Sequence, residues 1–365
     1  MWIESFLLSK LVKLSKMKIT VAIPCYNLEN RVSACIESVM KQDFEDFEVL
    51  LIDDCSSDKS VMVARREFDK HPEISCRIIR NEVNLGLSSV RNIAIMEAQG
   101  ECLFFVDGDD ILEPGAFALL YQKMQETGTE LVCGSFRRME SDRKTVIAEK
   151  RYVESAFYGE YAYSSFVEKH VKGFFQVAVW NNLYRMDFIR SHNLCFPTTY
   201  RIFEDCLFTF YVMMYTKSIV FIDTITYNYI KYPASISEQI VDPKWFNSVF
   251  CMMDSIFCAF AEFRAIHSGK RIPYGILFLL NYICLTIGLL KRIVTSDATK
   301  EEKVSFLKWL KVQYGKNNIK WKDVVGPYNK ISYCILMTPI SYPLFLFYFR
   351  NLKPISKMVR FLTKQ

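Results

Sequence analysis

The sequence predicts an α/β fold, in which a doubly wound, mostly parallel β-sheet is flanked by helices and followed by a helical C-terminal extension. Strand-like apolar runs and amphipathic helical segments alternate four times between residues 19 and 106, a pattern typical of a parallel sheet with crossover helices. Beyond about residue 237 the strand signals become rare and helical patterns take over. The chain, at 365 residues, is longer than most single domains, so two domains or one domain with a large appendage are expected.

The elements of the first half follow from two local patterns. Apolar runs that stop at turn residues indicate buried strands, and apolar residues spaced three and four apart indicate helices. In chain order these patterns predict strand 19–24, helix 31–42, strand 47–52, helix 61–68, strand 75–80, helix 88–99 and strand 102–106. Right-handed crossovers would place the loops after all four strands at one edge of the sheet.

The second half has weaker signals. Residues 130–136 indicate another strand, residues 203–215 an aromatic-rich helix, and residues 219–230 a pair of strands. Ile272–Leu290 is nearly uncharged but, at 19 residues, is barely long enough to span a bilayer. Ile331–Phe349 is apolar and aromatic and is interrupted by two prolines. Peripheral contact with a membrane is therefore predicted in preference to spanning helices.

Charge is distributed unevenly along the chain. Residues 264–365 contain 18 Lys and Arg against 4 Asp and Glu, whereas the remainder contains 28 against 36. A basic, aromatic-rich region suits an anionic membrane surface; the alternative is an ordinary helical cap that packs on the preceding domain. Nucleic acid is not expected as a partner, because no recognition motif accompanies the positive charge.

Cysteine and histidine usage argues against a metal–thiolate or disulfide framework. The 12 cysteines form no Cys-x-x-Cys pair and the 4 histidines form no cluster, so reduced thiols and a cytoplasmic location are expected. The first 16 residues lack the apolar core and cleavage site of a signal peptide. They are interpreted as an N-terminal extension, or as sequence upstream of a start at Met17.

The stretch from Leu103 to Asp110 carries the strongest chemical signal. Four apolar residues suited to a buried strand lead into three carboxylates around a glycine, at Asp107, Gly108, Asp109 and Asp110. Open α/β sheets bind ligands beyond the carboxyl ends of their strands, and Mg²⁺ commonly uses one or two carboxylates together with substrate phosphates. The pattern therefore predicts a metal–diphosphate site; the alternative is an acidic turn at the end of a strand.

Several segments, taken together and in this order, resemble the GT-A glycosyltransferases of family 2, bacterial enzymes that build capsules, exopolysaccharides and lipid-linked glycans. The first five are VAIPCYN (21–27), IESVMKQ (36–42), IDDCSSD (52–58), NLG (84–86) with Arg91 and Asn92 beyond it, and FVDGDD (105–110). Three later ones are WNNLY (180–184), FED (203–205) and YNY (227–229). The resemblance covers residues 17–240. It departs from the family at Cys55, where glycine is frequent, and at Asn182, where many relatives carry lysine.

The resemblance implies a binding site for a nucleoside-diphosphate sugar, with UDP as the expected nucleotide. Pro24, Tyr26 and Asn27 would flank the base and ribose, although alone they would indicate a turn. Asp53 and Asp54 would accept a hydrogen bond from the base or the ribose; the alternative is an acidic helix cap. The predicted nucleotide-sugar contacts are Pro24, Tyr26, Asn27, Asp53, Asp54, Asn84, Arg91, Asp107, Gly108 and Asp110.

The resemblance also implies a divalent cation, Mg²⁺ or Mn²⁺, held by an Asp-x-Asp motif. Asp109 would contact the metal directly, and Asp107 would contact the metal, its water ligands or the ribose. Asp110 would lie behind them or touch the donor sugar. Arg91 would approach the phosphates as a fixed cation, with a solvated helix residue as the alternative. The metal would neutralise the charge that develops on the leaving diphosphate.

Asp205 is the general base that the resemblance implies, and it would act in a single displacement with inversion at the anomeric carbon. Glu204 would orient the acceptor or the loop. The alternative for both acids is a favourable interaction with the dipole of a helix N-terminus. Trp180 fits a platform for the acceptor sugar, and its alternative is a core residue.

The sequence thus predicts an inverting, metal-dependent glycosyltransferase in cell-surface polysaccharide biosynthesis. Its partners would be a nucleoside-diphosphate sugar and a glycan or lipid-linked saccharide acceptor, and its location would be the inner face of the cytoplasmic membrane. The predicted regions are an extension (1–16), a catalytic domain (17–240) and a basic helical region (241–365). The alternatives are an inactive sugar-nucleotide-binding scaffold and a nucleotidyltransferase; the latter would need a Gly-rich, basic phosphate loop, which the end of the first strand lacks.

Overall fold

The computed structural model describes residues 17–170, 178–200, 202–232, 243–285 and 298–324, together with a few isolated positions between 293 and 343. The chain divides into two compact units. The first unit comprises residues 1–158, 179–196 and 217–232, and the second comprises residues 159–178, 197–216 and 233–365. The predicted domain boundaries at residues 16 and 240 stay predictions.

Ten β-strands lie in the described part of the first unit. They are Ile19–Cys25 (β1), Phe47–Asp53 (β2), Ser75–Arg80 (β3), Cys102–Phe105 (β4), Ile111–Leu112 (β5), Leu131–Glu140 (β6), Val146–Lys150 (β7), Ser155–Tyr158 (β8), Asn182–Arg185 (β9) and Ser218–Lys231 (β10). They form one sheet with the order β3-β2-β1-β4-β9-β6-β10-β5, while β7 pairs with β6 and β8 pairs with β10.

Helices are found in both units. Those of the first unit are Val32–Met40 (α1), Ser60–Phe68 (α2), Leu87–Glu97 (α3), Ala116–Thr127 (α4) and Met186–Ser191 (α6). Those of the second unit are Ala162–His170 (α5), Glu204–Tyr215 (α7), Pro243–Ile266 (α8), Tyr274–Leu285 (α9) and Lys300–Lys316 (α10), followed by a 3₁₀ helix at Trp321–Asp323.

The four strands of the first half are parallel neighbours. β1 pairs with β2 on one side and with β4 on the other, and β2 pairs with β3. Every residue of β1, β2 and β4 is buried, as expected for parallel strands covered on both faces. Because the chain builds outward from β1 to β3 and then returns to β4, the strand order reverses between β1 and β4. Open α/β sheets bind their ligands at this point of reversal.

The predicted α/β fold is confirmed, but the sheet is mixed rather than mostly parallel, because β9 pairs antiparallel with β4 and β6, and β5, β7 and β8 also pair antiparallel with their neighbours. All four predicted strands and the three helices between them are present, with ends that differ by a few residues. In α1 the buried side chains include Val32, Cys35, Ile36 and Val39, the spacing that predicted a helix with one face against the sheet. The predicted helix at 203–215 is α7, and the predicted strand at 130–136 is β6, which is longer.

Residues 219–230 form one strand, so the prediction of a strand pair there is wrong. β10 runs through 14 residues and pairs in parallel with β6. The register shifts between Phe221 and Ile225 and again between Ile225 and Tyr227. A β-bulge shifts the register without ending the strand, so β10 continues through these irregularities as one strand. The short strands β5, β7, β8 and β9 were not predicted.

The second unit is built from helices that pack closely on one another. Within it, α7 contacts α5, α8 and α9, and α5 also packs on α9. Gly275 of α9 donates its backbone N–H to Ser164 Oγ at 2.7 Å, and a Cβ atom on Gly275 would lie 2.5 Å from the Cα atom of Ser164. The fully buried Tyr314 donates to Asn281 Oδ1 at 3.1 Å, which ties α10 to α9.

The hydrophobic stretches of the second half are described only in part. Within the described residues, no helix is both long enough and apolar enough to cross a membrane. The helix in the first stretch is α9, of 12 residues; residues 286–290 lie outside the described residues. Nearly all of the second stretch, 331–349, and the predicted extension 1–16 also lie outside them.

Candidate functional site

Two loops meet where the strand order reverses. One follows β1 and begins at Tyr26, and the other follows β4 and contains Asp107 to Asp110. A Cβ atom on Gly108 would lie 2.7 Å from the backbone oxygen of Pro24 and 2.8 Å from the Leu28 side chain. Glycine therefore lets the two loops approach each other closely, which gives the glycine of the acidic motif a structural reason.

Asp107 and Asp109 are the accessible carboxylates of the motif, with 26% and 28% of their side chains exposed. Arg91 donates from Nη2 to Asp107 Oδ1 at 2.9 Å, and Arg31 Nη1 lies 3.4 Å from Asp109 Oδ2. Each carboxylate thus has a guanidinium partner. Arg91 is only 3% exposed, so the alternative of a solvated helix residue does not hold for it.

Asp110 differs from its neighbours because it is buried and anchors the loop to β10. Its Oδ2 atom accepts a hydrogen bond from the Tyr227 hydroxyl at 2.7 Å, and its Oδ1 atom accepts one from the backbone N–H of Ile230 at 2.7 Å. Asp107 donates its own backbone N–H to the Tyr227 oxygen at 3.1 Å. Both oxygens of Asp110 are therefore bound within the protein, and its predicted contact with the donor sugar stays a prediction.

Burial and neighbouring negative charge raise the pKa values of Asp109 and Asp110. Burial and the neighbouring Asp107 carboxylate raise the pKa of Asp109 to about 6, and burial together with Asp107 raises the pKa of Asp110 well above its usual range. In the part of the chain that the structure describes, no three His, Cys, Asp or Glu side chains are arranged to hold a metal by themselves. Two accessible carboxylates nevertheless fit Mg²⁺ or Mn²⁺, because Mg²⁺ in particular completes its coordination with water and substrate phosphates.

Asn27 links the loop after β1 to the loop after β2. Its backbone N–H donates to Ser56 Oγ at 2.9 Å, and its Oδ1 atom accepts from the backbone N–H of Ser57 at 2.9 Å. The φ angle of Asn27 is 52°, a left-handed value that asparagine tolerates. Tyr26, next to it, is half exposed. The structure thus fixes the loop through Asn27 and leaves the Tyr26 ring accessible.

Asp53, the last residue of β2, supports the turn that follows it. It is fully buried; its Oδ2 atom accepts from the backbone N–H of Ser56 at 3.2 Å and pairs with Arg80 Nε at 3.2 Å. Cys55 in this turn has a left-handed φ of 63°. Glycine adopts that conformation without steric cost, so the structure accommodates the glycine that is frequent in the family at this position.

Asp54 organises the loop after β3. Its carboxylate accepts hydrogen bonds from the backbone N–H groups of Leu85 and Gly86, each at 2.8 Å, and from Asn81 Nδ2 at 2.9 Å. Asn84 Nδ2 donates to the backbone oxygen of Asp54 at 3.3 Å. The structure therefore brings Asp54 and Asn84 into contact, and both carboxylate oxygens of Asp54 accept hydrogen bonds from within the protein. Contact of either residue with the donor stays a prediction.

Trp180 lies in an aromatic cluster and is 8% exposed. Its ring stacks on Tyr227 and Tyr229, with centroids 4.7 Å and 5.7 Å away, and meets Phe136 edge-on at 4.9 Å. Aromatic side chains in a protein core pack in this way, so the alternative for Trp180, a core residue, accounts for its position. An acceptor platform at Trp180 stays a prediction.

Glu204 and Asp205 belong to the second unit and form the first turn of α7. Glu204 is buried, whereas Asp205 is partly exposed. The preceding residue, Phe203, has a left-handed φ of 69° and does not cap the helix with its side chain. Acids in the first turn interact favourably with the helix dipole, so the structural alternative holds for both residues. A catalytic role for Asp205, the more accessible of the two, stays a prediction.

The structure adds residues that were not predicted as part of the site. Tyr227 connects Asp107 to Asp110; its segment contributed to the resemblance, but no role was derived for it. Arg31 pairs with Asp109, although its place at the start of a helix gave no chemical signal. Phe196 lies with its ring 5.4 Å from the Arg91 guanidinium carbon. These contacts are long-range, so local pattern could not reveal them.

The sheet and the acidic loop define a class of protein. The fold resembles that of S. aureus TarS in complex with UDP-GlcNAc, with a TM-score of 0.64 over 88% of this chain and 90% of that chain. At 18% sequence identity the likeness concerns the fold alone. It confirms the predicted architecture, a GT-A glycosyltransferase fold.

Sequence comparison identifies the family within that class. Residues 20–195, about half of the chain, match the family described as glycosyl transferase family 2. The chain therefore carries a family-2 glycosyltransferase domain. This region contains the site residues described above in the first unit, except for Phe196 and the contacts from β10.

Two bacterial relatives show how far the similarity extends. EpsJ of Bacillus subtilis, an uncharacterized glycosyltransferase, is 28% identical over 220 residues, which are 60% of this chain and 63% of EpsJ. EpsH of the same organism, also named as a glycosyltransferase, is 26% identical over 269 residues, which are 73% of this chain and 76% of EpsH. The chain thus matches slightly less than two thirds of EpsJ and about three quarters of EpsH.

Proposed function

We propose that this protein is an inverting glycosyltransferase that moves a sugar from a UDP-sugar to a hydroxyl group of a glycan or lipid-linked acceptor in cell-surface polysaccharide biosynthesis. The observation that carries the proposal is the place of Asp107 and Asp109, two accessible carboxylates at the point where the strand order reverses. A diphosphate and its cation would be recognised there. The UDP-GlcNAc complex of TarS supports UDP as the nucleotide.

The first unit would bind and orient the donor. Tyr26, with its accessible ring, would pack on the base, and the buried Arg91 would hold Asp107 in a fixed position beside the diphosphate. Asp109, with Asp107, would hold the divalent cation. When bound, that cation would supply Lewis-acid stabilisation of the charge on the leaving diphosphate. Gly108 would let the donor loop lie directly against the loop after β1.

Asp205 is the proposed general base, supported by its partial exposure in the first turn of α7. It would take the proton of the acceptor hydroxyl while the hydroxyl oxygen bonds to the anomeric carbon and the bond from that carbon to the diphosphate breaks. A positioned base of this kind contributes on the order of 10²–10⁴-fold to the rate. Glu204, buried beside it, would orient the start of α7.

The proposal includes peripheral contact with the inner face of the cytoplasmic membrane. Its support is the charge of residues 264–365, with 18 Lys and Arg against 4 Asp and Glu. Anionic lipids attract such a region, and a lipid-linked acceptor would be held in the same membrane. The donor site in the first unit does not depend on this contact.

A donor screen by thermal shift tests the proposal. UDP, GDP, CDP and dTDP would be added with Mn²⁺ or with EDTA to the wild type, to Asp109→Asn and to the control Asp43→Asn, which changes an exposed aspartate. UDP with Mn²⁺ is expected to raise the Tm of the wild type and of the control, but not of Asp109→Asn. A second variant, Asp205→Asn, should keep the UDP shift and lose sugar transfer, because it removes the base and leaves the donor site intact.

Two results would contradict the proposal. A wild type whose Tm responds to no nucleotide in the presence of Mn²⁺ would remove the donor site on which the proposal rests. An Asp109→Asn variant that retains the metal-dependent UDP shift would remove Asp109 from the metal site.

A further inference from the structure

Arg31 lies between an acid and an aromatic ring. It directly precedes α1; its Nη1 atom is 3.4 Å from Asp109 Oδ2, and its Cζ atom is 3.9 Å from the centroid of the Tyr232 ring. The side chains of this ion pair are 30% and 28% exposed. The family resemblance assigns no role to Arg31, yet Arg31 is the cation that faces the predicted metal ligand.

The Tyr232 ring gives the Arg31 guanidinium a second contact, independent of Asp109. The Tyr232 ring is buried with Met139 and Ile230 in a small apolar cluster. Its hydroxyl oxygen accepts a hydrogen bond from Arg143 Nη2 at 3.3 Å. A planar guanidinium stacks on such a ring, whereas an ammonium group does not reproduce this geometry. Because this contact does not involve Asp109, it would keep Arg31 beside the acidic motif after a ligand binds Asp109.

The two ion pairs of the acidic motif differ in strength. The pair of Arg91 with Asp107 is short, at 2.9 Å, and its arginine is buried. The pair of Arg31 with Asp109 is longer than the roughly 2.7–2.9 Å of a strong charge-assisted hydrogen bond. Because it is also partly solvated, it contributes little free energy and is easily exchanged. One pair is thus fixed and the other is exchangeable.

We propose that Arg31 is a donor-binding residue that pairs with Asp109 until the donor arrives and then contacts the donor diphosphate. The inference rests on the proposed function, since it requires a cation and a diphosphate at Asp109. A metal ion alone would take Asp109 from Arg31 and would leave two cations side by side, which repel each other. A diphosphate compensates both charges. Arg31 therefore makes the site bind metal and donor together and disfavours the metal alone.

Metal and nucleotide titrations of Arg31 variants test this inference without an activity assay. Calorimetry would measure Mn²⁺ binding in the absence of nucleotide, and then UDP binding at saturating Mn²⁺. Arg31→Met is expected to bind Mn²⁺ alone roughly 3–5-fold more tightly, because a competing cation is gone. It should bind UDP about tenfold more weakly, because a charge-assisted contact with the diphosphate is lost.

Matched variants separate this effect from a general change of charge. Arg65→Met removes an exposed arginine of α2 and should change neither titration. Arg31→Lys should recover only part of the UDP affinity, because lysine does not stack on Tyr232. In an Asp109→Asn background, Arg31→Met should no longer tighten Mn²⁺ binding.

The outcomes distinguish the inference from the function on which it rests. If the wild type binds Mn²⁺ and UDP but a folded Arg31→Met variant binds both with wild-type affinity, the inference alone is overturned. If the wild type binds no UDP at any Mn²⁺ concentration, the proposed function fails and the inference fails with it. Circular dichroism of each variant establishes that it is folded.

Discussion

Neighbouring aspartates of one motif serve different purposes in this protein. Asp107 and Asp109 reach solvent with an arginine beside each, whereas Asp110 is buried and binds Tyr227 and Ile230. Chain spacing could not separate them, because all three follow the same strand. The separation comes from β10, which is more than 100 residues away in the chain and supplies both partners of Asp110. The sequence predicts the place of the acids, and the tertiary structure decides which of them face a ligand.

The glycine of the acidic motif gives a prediction with a built-in control. Gly108→Ala places a Cβ atom 2.7 Å from the Pro24 backbone oxygen, and backbone atoms cannot move aside cheaply. The free energy of unfolding should fall by roughly 1–3 kcal/mol, as in other overpacked sites. Gly315 lies in helix α10, where a new Cβ atom would meet no neighbouring group within 4 Å, so Gly315→Ala is the control.

The Gly315→Ala variant should therefore change stability in the opposite direction, with a gain of up to about 1 kcal/mol from helix propensity. Urea unfolding of both variants, followed by circular dichroism, measures the two differences. A Gly108→Ala protein as stable as the wild type would show that the two loops are not held as closely as the structure indicates.

At the scale of elements, prediction succeeded where the strands are central and failed where they are short or irregular. β1, β2 and β4 are continuous apolar runs because both of their faces are covered, and such runs are visible in sequence. β5 has two residues and β7 lies at the surface, mostly exposed, so neither carries an apolar pattern. β10, predicted as two strands, is one strand whose register shifts near Ile225. Local pattern therefore identified the buried strands that lead into the acidic loops, but not the short or exposed strands such as β5 and β7.

The Asp54 side chain holds the loop after β3, so its removal should loosen that loop. Asp54→Ala removes the acceptor of the backbone N–H groups of Leu85 and Gly86. The variant should lose roughly 1–3 kcal/mol of stability, and hydrogen exchange at these two amides should accelerate because the loop opens more often. Hydrogen-exchange mass spectrometry of the segment measures the change directly.

Two further variants serve as comparisons for the Asp54→Ala measurement. Asp54→Asn keeps one acceptor oxygen and should lie between the wild type and Asp54→Ala. Asp69→Ala changes an exposed aspartate at the end of α2 and should leave exchange at the loop unchanged. Equal exchange rates in the wild type and Asp54→Ala would mean that the loop is held by other contacts, such as those of Asn84.

At the scale of the whole molecule, the two units are interleaved along the chain. In the order of the sequence, α5 and α7 fall between strands of the first unit, yet α5 packs on α9 and α7 packs on α8 and α9. The sequence indicated a boundary near residue 240 because composition and charge change there. It could not assign α5 and α7, because an apolar helix face looks the same in sequence whether it covers a sheet or another helix.

This interleaving predicts that a chain ending at Tyr232 does not fold stably by itself. Such a chain retains all ten described strands but lacks the helices on which α7 packs. In the full chain α7 buries Phe208, Phe210 and Met213, and it packs on α8 and α9. Removal of those helices exposes an apolar face, and exposed apolar patches promote aggregation. Residues 17–232 alone should therefore bind a hydrophobic dye such as ANS and elute as aggregates, whereas the full chain should not.

Supplying the missing helices as a separate chain tests whether the exposed face is the cause. Co-expression of residues 17–232 with residues 233–365 should restore solubility and lower dye binding, since α8 and α9 can again cover α7. Polar substitution of Phe208 in the fragment, as Phe208→Gln, should reduce aggregation by the same route. A fragment 17–232 that is soluble, binds no dye and unfolds at the Tm of the full chain would show that α5 and α7 need no helices from the C-terminal region, and that a contiguous catalytic domain ending near residue 240 describes the chain better.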